Sequence, residues 1–263
     1  MKICCLIIIF LSSLISNDYE LVTTVNIQGS TFKTDLLENV YIINNQTITK
    51  YNNQGIKQST YNNNYLGNIN YLDVSDPLRI LVFFKDFNQI IFLDNTLSVI
   101  GSPLILDDLG YDRTELACSS NTGGFWLFNS LTNQLLFIDK TLHVKVQSIS
   151  ITSILSNNDK INYLIEKNDY VYLNAPETGI IIFDKFGTYY KTVPILKCNS
   201  FQVFGNKIIY FKNNKLFSFN IELSDEKNLD IPDNNDVINV RIEQNKLFIF
   251  KDNGFSIYKQ KEK

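Results

Sequence analysis

Residues 170–184 read YVYLNAPETGIIIFD, and this stretch carries the pattern that decides the fold. Two short runs of β-branched and aromatic residues, 170–173 and 180–183, flank a polar segment that contains Asn174, Pro176 and Gly179. Runs of this composition are typical of β-strands, and Asn, Pro and Gly are typical of the turn that joins them. The stretch therefore predicts a β-hairpin.

The same pair of runs occurs six times along the chain. The residues that end the second run of each pair lie 36 to 45 residues apart, and they are Tyr51, Leu93, Ile138, Phe183, Phe219 and Tyr258. Asn, Asp or Gly lies between the runs of every pair, and Asp follows three of the six pairs where a further strand begins. Another short β-rich run precedes most pairs, so each repeat contains about four strands. A four-stranded unit at this spacing is typical of the blade of a β-propeller.

The two ends of the repeat array are incomplete in complementary ways. The sixth repeat stops before a fourth strand, whereas residues 20–27 (ELVTTVNI) form a β-rich run that belongs to no complete repeat. An unpaired strand edge exposes N–H and C=O groups, and we expect residues 20–27 to cover that edge in the C-terminal blade. The sequence predicts an all-β fold, a six-bladed β-propeller of four-stranded antiparallel blades with its ring closed by this strand. The alternatives are a β-sandwich and a β-helix.

The amino terminus has the layout of a secretory signal peptide. Lys2 precedes the apolar residues 3–11, and a short Ser-containing tail ends at Ser16. We expect residues 1–16 to be removed and residues 17–263 to form one propeller domain. The apolar run is too short for a comfortable membrane span, and no other run is long enough. The mature chain is therefore expected to be exported without a transmembrane segment, to the periplasm or outer membrane of a bacterium or otherwise by secretion.

Composition excludes several classes of function. The chain has 24 basic and 27 acidic residues, so it has no basic excess with which to neutralise a nucleic acid. Its single histidine, His143, is expected on an outer strand, where catalysis is not favoured. Cys118 and Cys198 have no paired spacing and are expected as buried thiols, with one disulfide as the alternative. No phosphate-binding glycine loop and no nucleophile or zinc motif is present.

Two blades resemble a known group of proteins. Residues 124–128 (GFWLF) with 133–139 (NQLLFID), and 169–173 (DYVYL) with 179–184 (GIIIFD), resemble blades of exported six-bladed propellers related to the NHL and TolB-like groups. The sequence also resembles Asn- and Lys-rich envelope proteins of Bacteroidota, in which such propellers accompany outer-membrane machinery. The resemblance implies a scaffold role and supplies no catalytic motif.

Acidic residues follow the presumed innermost strands, which line the central channel of a propeller. These candidates for the channel are Asp35, Asp73, Glu115, Glu166 and Glu243. Carboxylate oxygens near one axis could bind a hard cation such as Ca²⁺, although polar strand ends facing water are the simpler interpretation. The strand register does not place these acids in one site, so we predict no catalytic, cofactor-binding or metal site. Ca²⁺ is the one cofactor to test.

Tyrosines in or beside the predicted loops are candidates for contact with a partner, because exposed aromatic side chains favour interfaces. They are Tyr61, Tyr65, Tyr111, Tyr189 and Tyr190. The favoured function is a non-enzymatic exported propeller that binds envelope or outer-membrane proteins as a scaffold, as an accessory of an outer-membrane complex. The alternative is a channel-centred hydrolase or ligand-binding propeller for a lactone, ester or glycan, with or without Ca²⁺.

Overall fold

A computed structural model describes residues 18–156 and 159–261 of the chain. The predicted signal peptide, residues 1–16, lies outside the described residues. The first half contains β1 (Tyr19–Asn26), β2 (Thr31–Thr34), β3 (Val40–Asn44), β4 (Thr47–Tyr51), β5 (Lys57–Asn62), β6 (Tyr71–Asp73), β7 (Ile80–Phe84), β8 (Gln89–Leu93), β9 (Val99–Ile105), β10 (Thr114–Ser119), β11 (Phe125–Asn129), β12 (Gln134–Ile138) and β13 (Val144–Gln147). The second half contains β14 (Tyr163–Lys167), β15 (Tyr170–Ala175), β16 (Gly179–Asp184), β17 (Tyr189–Val193), β18 (Phe201–Phe204), β19 (Lys207–Lys212), β20 (Lys215–Asn220), β21 (Asp225–Leu229), β22 (Val237–Glu243), β23 (Lys246–Lys251) and β24 (Gly254–Gln260).

These strands form six antiparallel sheets of four strands, which confirms the predicted propeller. Blades 1 to 5 each use four consecutive strands, starting with β2 and ending with β21. Blade 6 combines β22, β23 and β24 with β1, which pairs with β24 from Tyr19 opposite Gln260 to Asn26 opposite Gly254. The ring is closed by the amino-terminal strand, as the sequence predicted for residues 20–27.

Short polar turns hold the blades in register. Asn213 and Asn214 both have positive φ, 50° and 59°, between β19 and β20. Two left-handed residues in succession make the two-residue hairpin turn whose twist matches that of antiparallel strands. Asn tolerates this conformation because its short side chain interacts locally with the backbone. The Asn residues that punctuate the sequence therefore have a structural role at these turns.

Aromatic side chains fill the interfaces between blades. The rings of Phe32 in blade 1 and Phe250 in blade 6 stack at 5.3 Å with an interplanar angle of 6°. Tyr163 in blade 4 meets Phe201 in blade 5 at 5.1 Å in an edge-on arrangement. Such pairs add to the free energy gained by burying the rings, and they lie across interfaces rather than within one sheet. Most aromatic residues of the sequence therefore belong to the core.

The ring has two faces because all the innermost strands run in the same direction. We call the face where these strands begin the upper face; it carries the connections between blades, such as residues 63–70. The lower face, where these strands end, carries the turns between the first and second strands of each blade and between the third and fourth, such as residues 35–39 and 94–98. Each face opens onto one end of the central channel.

Two details differ from the sequence interpretation. His143 lies in a turn one residue before β13 and not on an outer strand, and its Nδ1 lies 3.0 Å from the Thr141 hydroxyl. The turn ends later than expected because the Asp139 side chain accepts a hydrogen bond from the His143 N–H. The thiols of Cys118 and Cys198 are both buried and free, so the alternative of one disulfide is not observed.

Candidate functional site

The innermost strands place three layers of side chains along the central channel. The upper layer contains polar residues at the beginning of these strands, including Asn70, Asn162 and Asn239. The lower layer contains the acidic residues at their ends. A cavity lies at each end of the channel. A middle layer of larger side chains lines both cavities and separates them. Because side chains alternate along a strand, Lys33, Tyr71 and Arg241, each two positions before a lower-layer acid, point into the channel with that acid.

The middle layer contains a buried lysine held between two aromatic rings. The Lys33 Nζ lies 4.1 Å from the ring centre of Tyr163 and 5.1 Å from that of Tyr71. The Tyr71 hydroxyl donates to the Leu164 carbonyl and accepts from the Leu164 N–H, which fixes the ring. Lys33 comes from blade 1, Tyr71 from blade 2 and Tyr163 from blade 4, so these side chains meet across the channel axis.

The surroundings of Lys33 disfavour its charged form. Burial and, to a smaller extent, the nearby Arg241 guanidinium lower the pKa of the Lys33 amine to about 7, against the opposing effect of Asp73. Among the described residues, Lys33 has no hydrogen bond or ion pair with an acidic group; its contacts are the two rings. A buried ammonium without an anionic partner is costly, which makes this amine an unusual feature of the channel.

Asp35 is committed to the turn that follows β2. Its Oδ1 accepts hydrogen bonds from the backbone N–H groups of Leu37 and Asn39, each at 2.9 Å. Its Oδ2 accepts from the Tyr41 hydroxyl at 2.8 Å and from the Asn39 side-chain amide at 2.9 Å. This carboxylate is buried and has donors on both oxygens, so its role is to shape the turn.

Asp73 and Glu166 connect neighbouring blades. The Asp73 carboxylate accepts from the N–H of Ser75 in its own turn and from the N–H of Ser119 in blade 3 at 2.8 Å. The Glu166 carboxylate accepts from the Asn121 N–H at 3.0 Å and from the Trp126 indole N–H at 2.5 Å. Both acids therefore accept from donors of blade 3, and the Ser119 N–H and the Trp126 indole N–H belong to buried residues that need such a partner.

Glu243 belongs to a buried polar cluster between blades 5, 6 and 1. Its Oε1 accepts from the Thr34 hydroxyl at 2.6 Å and from the Gln202 amide at 2.9 Å, and the Arg241 Nη2 lies 3.9 Å away. The Arg241 Nε also donates to the Thr34 hydroxyl at 2.8 Å. Burial raises the pKa of the Glu243 carboxyl, and Arg241 and the Thr34 hydroxyl oppose this shift.

The lower layer offers little space for a ligand. Asp35, Asp73, Glu166 and Glu243 all line one cavity at the lower end of the channel, with a volume of about 90 Å³. Within residues 18–156 and 159–261, no three His, Cys, Asp or Glu side chains are grouped so that they could hold a metal ion. The arrangement can bind blades together, and it gives no observation in favour of the Ca²⁺ hypothesis.

Glu115 lies apart from the other four acidic candidates. It is at the start of β10, near the upper face, and forms a 2.5 Å ion pair with Lys85. Both side chains are partly exposed, so this pair contributes little to stability. The structure therefore brings together four of the five channel candidates.

The five tyrosine candidates fall into two groups. Tyr61 is buried in the core of blades 1 and 2, and Tyr111 is half-buried with its hydroxyl 3.4 Å from the Leu142 carbonyl. Tyr65 on the upper face is 88% exposed, whereas Tyr189 and Tyr190 are partly exposed on β17. Only this second group is available to a partner.

A second set of exposed side chains surrounds the lower mouth of the channel. Leu36, Leu37 and Leu78 lie in turns that join first and second strands, and Phe204 ends an innermost strand. They are exposed by 50%, 51%, 64% and 38%, respectively. We call these four residues the lower apolar ring. Leu36 and Phe204 line the lower cavity, and Leu37 and Leu78 lie in turns on the same face.

Sequence reasoning missed Lys33, Arg241 and the lower apolar ring. The signal for the first two was present: Lys33 lies two residues before Asp35, and Arg241 lies two residues before Glu243. Period-two alternation puts each pair on the same side of its strand. No comparable signal identifies Leu36 or Leu78, because an apolar residue in a turn has no periodic partner.

Comparisons with known proteins identify the fold. No protein-family model and no curated protein matches the sequence. A catalytically inactive histidine-to-alanine variant of virginiamycin B lyase from Staphylococcus aureus, solved with quinupristin, is 12% identical with a TM-score of 0.56 and covers 93% of this chain and 90% of its own. BamB from Moraxella catarrhalis is 10% identical with a TM-score of 0.52 and covers 93% and 98%. PorZ of Porphyromonas gingivalis, a bacterial surface component of the type-IX secretion system, is 9% identical with a TM-score of 0.50 and covers 92% and 34%.

At these identities the likeness establishes the propeller fold and nothing finer. The same fold occurs in a lyase and in a secretion component, so function must come from the site. In the described part of the chain, no helix has the length and apolar character needed to span a membrane.

Proposed function

We propose that this chain is a non-enzymatic, exported β-propeller that acts as a protein-interaction scaffold in the cell envelope. Its partner is an envelope or outer-membrane protein, and residues 1–16 act as its signal peptide. The proposal also includes kinship with exported propellers of the NHL and TolB-like groups in Bacteroidota, whose blades the sequence resembles.

The observation that carries the proposal is the lower apolar ring. Four large apolar side chains from three different blades are exposed around one mouth of the channel. Several exposed large apolar side chains on one face are typical of a site for another protein. The lower channel behind this ring is narrow and its acidic groups are engaged in structural hydrogen bonds, which favours docking on the surface over entry of a substrate.

The comparisons agree with this proposal at the level of fold. PorZ is a surface component of a bacterial secretion system, and its propeller resembles this chain in its strand arrangement. A propeller used in that setting supports an envelope role for the present one. The likeness is geometric, so the partner of this chain is a matter for experiment.

The alternative function is a channel-centred enzyme or ligand-binding propeller for a lactone, ester or glycan. The likeness to virginiamycin B lyase favours it. That lyase is inactive when one histidine is replaced by alanine, whereas the single histidine of this chain, His143, lies in a turn between the third and fourth strands of blade 3. If the channel acids were catalytic, Glu166→Gln combined with Asp35→Asn would abolish any hydrolytic activity that the purified protein shows.

The scaffold proposal is tested by affinity purification of the tagged protein from native envelopes in mild detergent, followed by mass spectrometry. We expect a stoichiometric envelope protein with the wild-type chain and its loss with Leu36→Asp combined with Leu78→Asp. Charged groups at these exposed positions should weaken docking without disturbing the core.

The matched control is Leu131→Asp, because Leu131 is 73% exposed in a turn on the upper face. This variant should retain the partner. The proposal is wrong if the wild-type chain is recovered alone, or if the double variant and the control retain the same partner equally well.

A further inference from the structure

The upper end of the channel is a cavity of about 300 Å³, within the size range of small-molecule sites. Aromatic side chains, among them Phe32, Tyr71 and Phe250, form much of its wall. Lys33 is the one charged residue among the described residues that line it, whereas the lower cavity is lined by the four lower-layer acids together with Lys33, Lys167 and Arg241. The two ends of the channel therefore differ in charge.

Two exposed asparagines in the wall of this cavity, Asn70 and Asn162, have their side-chain oxygens occupied and their amide groups free to donate. The Asn70 Oδ1 accepts from the Lys85 N–H at 2.7 Å, and the Asn162 Oδ1 accepts from the Asn174 amide at 2.6 Å. These bonds fix both side chains, and in the described part of the chain their Nδ2 groups have no acceptor. The Ser200 hydroxyl accepts from the Asn239 amide at 3.2 Å, which leaves its own proton to donate.

We propose that the upper cavity is a binding site for a small organic carboxylate, with the Lys33 ammonium at its floor and the Asn70 and Asn162 amides at its wall. A carboxylate accepts hydrogen bonds at both oxygens. It also carries a negative charge, which no hydrogen-bonded partner of Lys33 supplies among the described residues. A cation would meet Lys33 and find no acid in the wall. A neutral polyol would bring no charge to pair with the Lys33 ammonium.

Binding should take up a proton. The titratable or charged side chains that face the Lys33 amine from other blades are Tyr71, Asp73, Cys118, Tyr163 and Arg241. Burial raises the pKa of the two tyrosines and of the Cys118 thiol, so these groups stay neutral near pH 7. With the pKa of free Lys33 about 7, carboxylate binding should weaken about tenfold between pH 6 and pH 8.

The test is calorimetric titration of the full chain with acetate, succinate and citrate, with inorganic phosphate and glycerol in parallel. We expect one-to-one binding of at least one carboxylate at millimolar concentration or below, and no binding of glycerol. Lys33→Met should weaken that binding by at least about tenfold, because a charged hydrogen bond is lost. Lys167→Met is the matched control, since Lys167 lines the lower cavity, and it should bind as the wild type does.

A second variant avoids any change in the middle layer. In Asn162→Asp the oxygen that accepts from Asn174 remains, while the free donor becomes a negatively charged acceptor, so carboxylate binding should be lost. Asn95→Asp, in a turn on the lower face, introduces the same charge as a control. The proposal is overturned if no carboxylate binds, if Lys33→Met binds like the wild type, or if phosphate is preferred. It concerns the face opposite the lower apolar ring, so its failure leaves the scaffold proposal standing.

Discussion

A buried carboxylate is explained by the N–H groups that point at it. Glu166 accepts from the backbone of Asn121 and from the indole of Trp126, and Asp73 accepts from the backbone of Ser119. All these donors belong to blade 3, which has the small Cys118 and Ser119 at its channel strand instead of a large side chain. The acids of blades 2 and 4 therefore hold blade 3 in the ring.

Glu166→Gln should destabilise the protein without disrupting the fold. A glutamine side chain has one acceptor oxygen, so either Asn121 or Trp126 loses its partner. We expect the free energy of unfolding to fall by about 1–3 kcal/mol. Trp126 is the only tryptophan in the chain, so its fluorescence during urea denaturation reports on this contact.

Glu177→Gln is the control for this measurement, because Glu177 is exposed. An exposed substitution of this kind should change stability by less than about 0.5 kcal/mol. Equal stability of the two variants would contradict the role assigned to Glu166.

Lys33 should make stability depend on pH in a recognisable way. Its pKa is about 7 in the folded protein and near the ordinary 10.5 in the unfolded chain, so the unfolded chain binds more protons between these values. Stability therefore rises with pH across this range, by up to about 1.4 kcal/mol per pH unit from this group. The measurement is the free energy of unfolding from pH 6 to pH 10.

Lys33→Met should remove this rise, because methionine does not titrate. Below pH 7 the variant should be the more stable of the two proteins, since the cost of burying the ammonium is then greatest. Parallel pH profiles for the wild type and the variant would show that Lys33 is not buried as described.

At the residue scale, the acids are easier to predict from the sequence than the groups that they contact. Acidic residues at the ends of strands stand out in a chain with few charges, and four of the five meet at the lower channel. The middle layer is harder to predict because Lys33 and Tyr163 meet across the axis from blades 1 and 4. Strand periodicity shows which way a side chain points, but the distance across the channel depends on the whole ring.

At the scale of elements, one turn recurs between third and fourth strands. In blades 1 to 4, one side-chain oxygen accepts hydrogen bonds from the backbone N–H groups two and four residues later. The accepting residues are Asn52, Asp94, Asp139 and Asp184. The residue three positions later has positive φ in every case, and it is Gly55, Leu97, Leu142 and Gly187, respectively. The acid stabilises a turn whose left-handed residue would otherwise be disfavoured.

Asp184→Ala should weaken this turn. The N–H groups of Phe186 and Thr188 lose an acceptor at 2.9 Å each, and water replaces it only in part. We expect a loss of about 1 kcal/mol in the free energy of unfolding. The same urea denaturation monitored by Trp126 fluorescence measures it.

Asp169→Asn provides the comparison within the same blade, because asparagine removes the charge and tolerates the positive φ of this residue, 64°. Asp169 forms an exposed ion pair with Lys185 at 3.4 Å, and such pairs contribute little. A loss as large as that of Asp184→Ala would mean that charge, and not the backbone hydrogen bonds, explains the effect.

These turns show why the presence of a strand is easier to predict than the residue at which it begins. Asp followed by Asn, Lys or Thr after an apolar run correctly predicts where a new strand begins. The strand starts only after the side-chain hydrogen bonds end, which places His143 in the turn and begins β13 at Val144. Hydrogen bonds of this kind are invisible to a pattern of apolar residues.

At the scale of the whole molecule, the ring depends on pairing between its two ends. Thr24 of β1 lies opposite Ser256 of β24, and their hydroxyls are 2.9 Å apart. Thr24→Cys combined with Ser256→Cys should form a disulfide that joins these strands. Because the bond closes a very long loop of the unfolded chain, we expect a gain of about 2–4 kcal/mol.

The measurement is the melting temperature of the double variant with and without reductant. The oxidised form should melt at the higher temperature, while Ser256→Cys alone should show no such difference. Failure of the disulfide to form under oxidising conditions would contradict the pairing of β1 with β24.

The regular spacing of the repeats is the reason that the closed ring could be predicted. Six similar units, each unable to bury its faces alone, leave few arrangements other than a ring. The difference in charge between the two ends of the channel could not be predicted in this way, because it arises from single residues of different blades.

Closure of the ring by β1 also has a consequence for the folding of the chain during its synthesis. β1 is synthesised before its partner β24, which lies more than two hundred residues later in the chain. Long-range pairing of this kind forms slowly, and blade 6 stays incomplete until its third strand is available. A chain interrupted before β24 would keep a free strand edge on β1, which a protease or chaperone could recognise. Closure of the ring thus distinguishes a chain that contains β24 from one that lacks it.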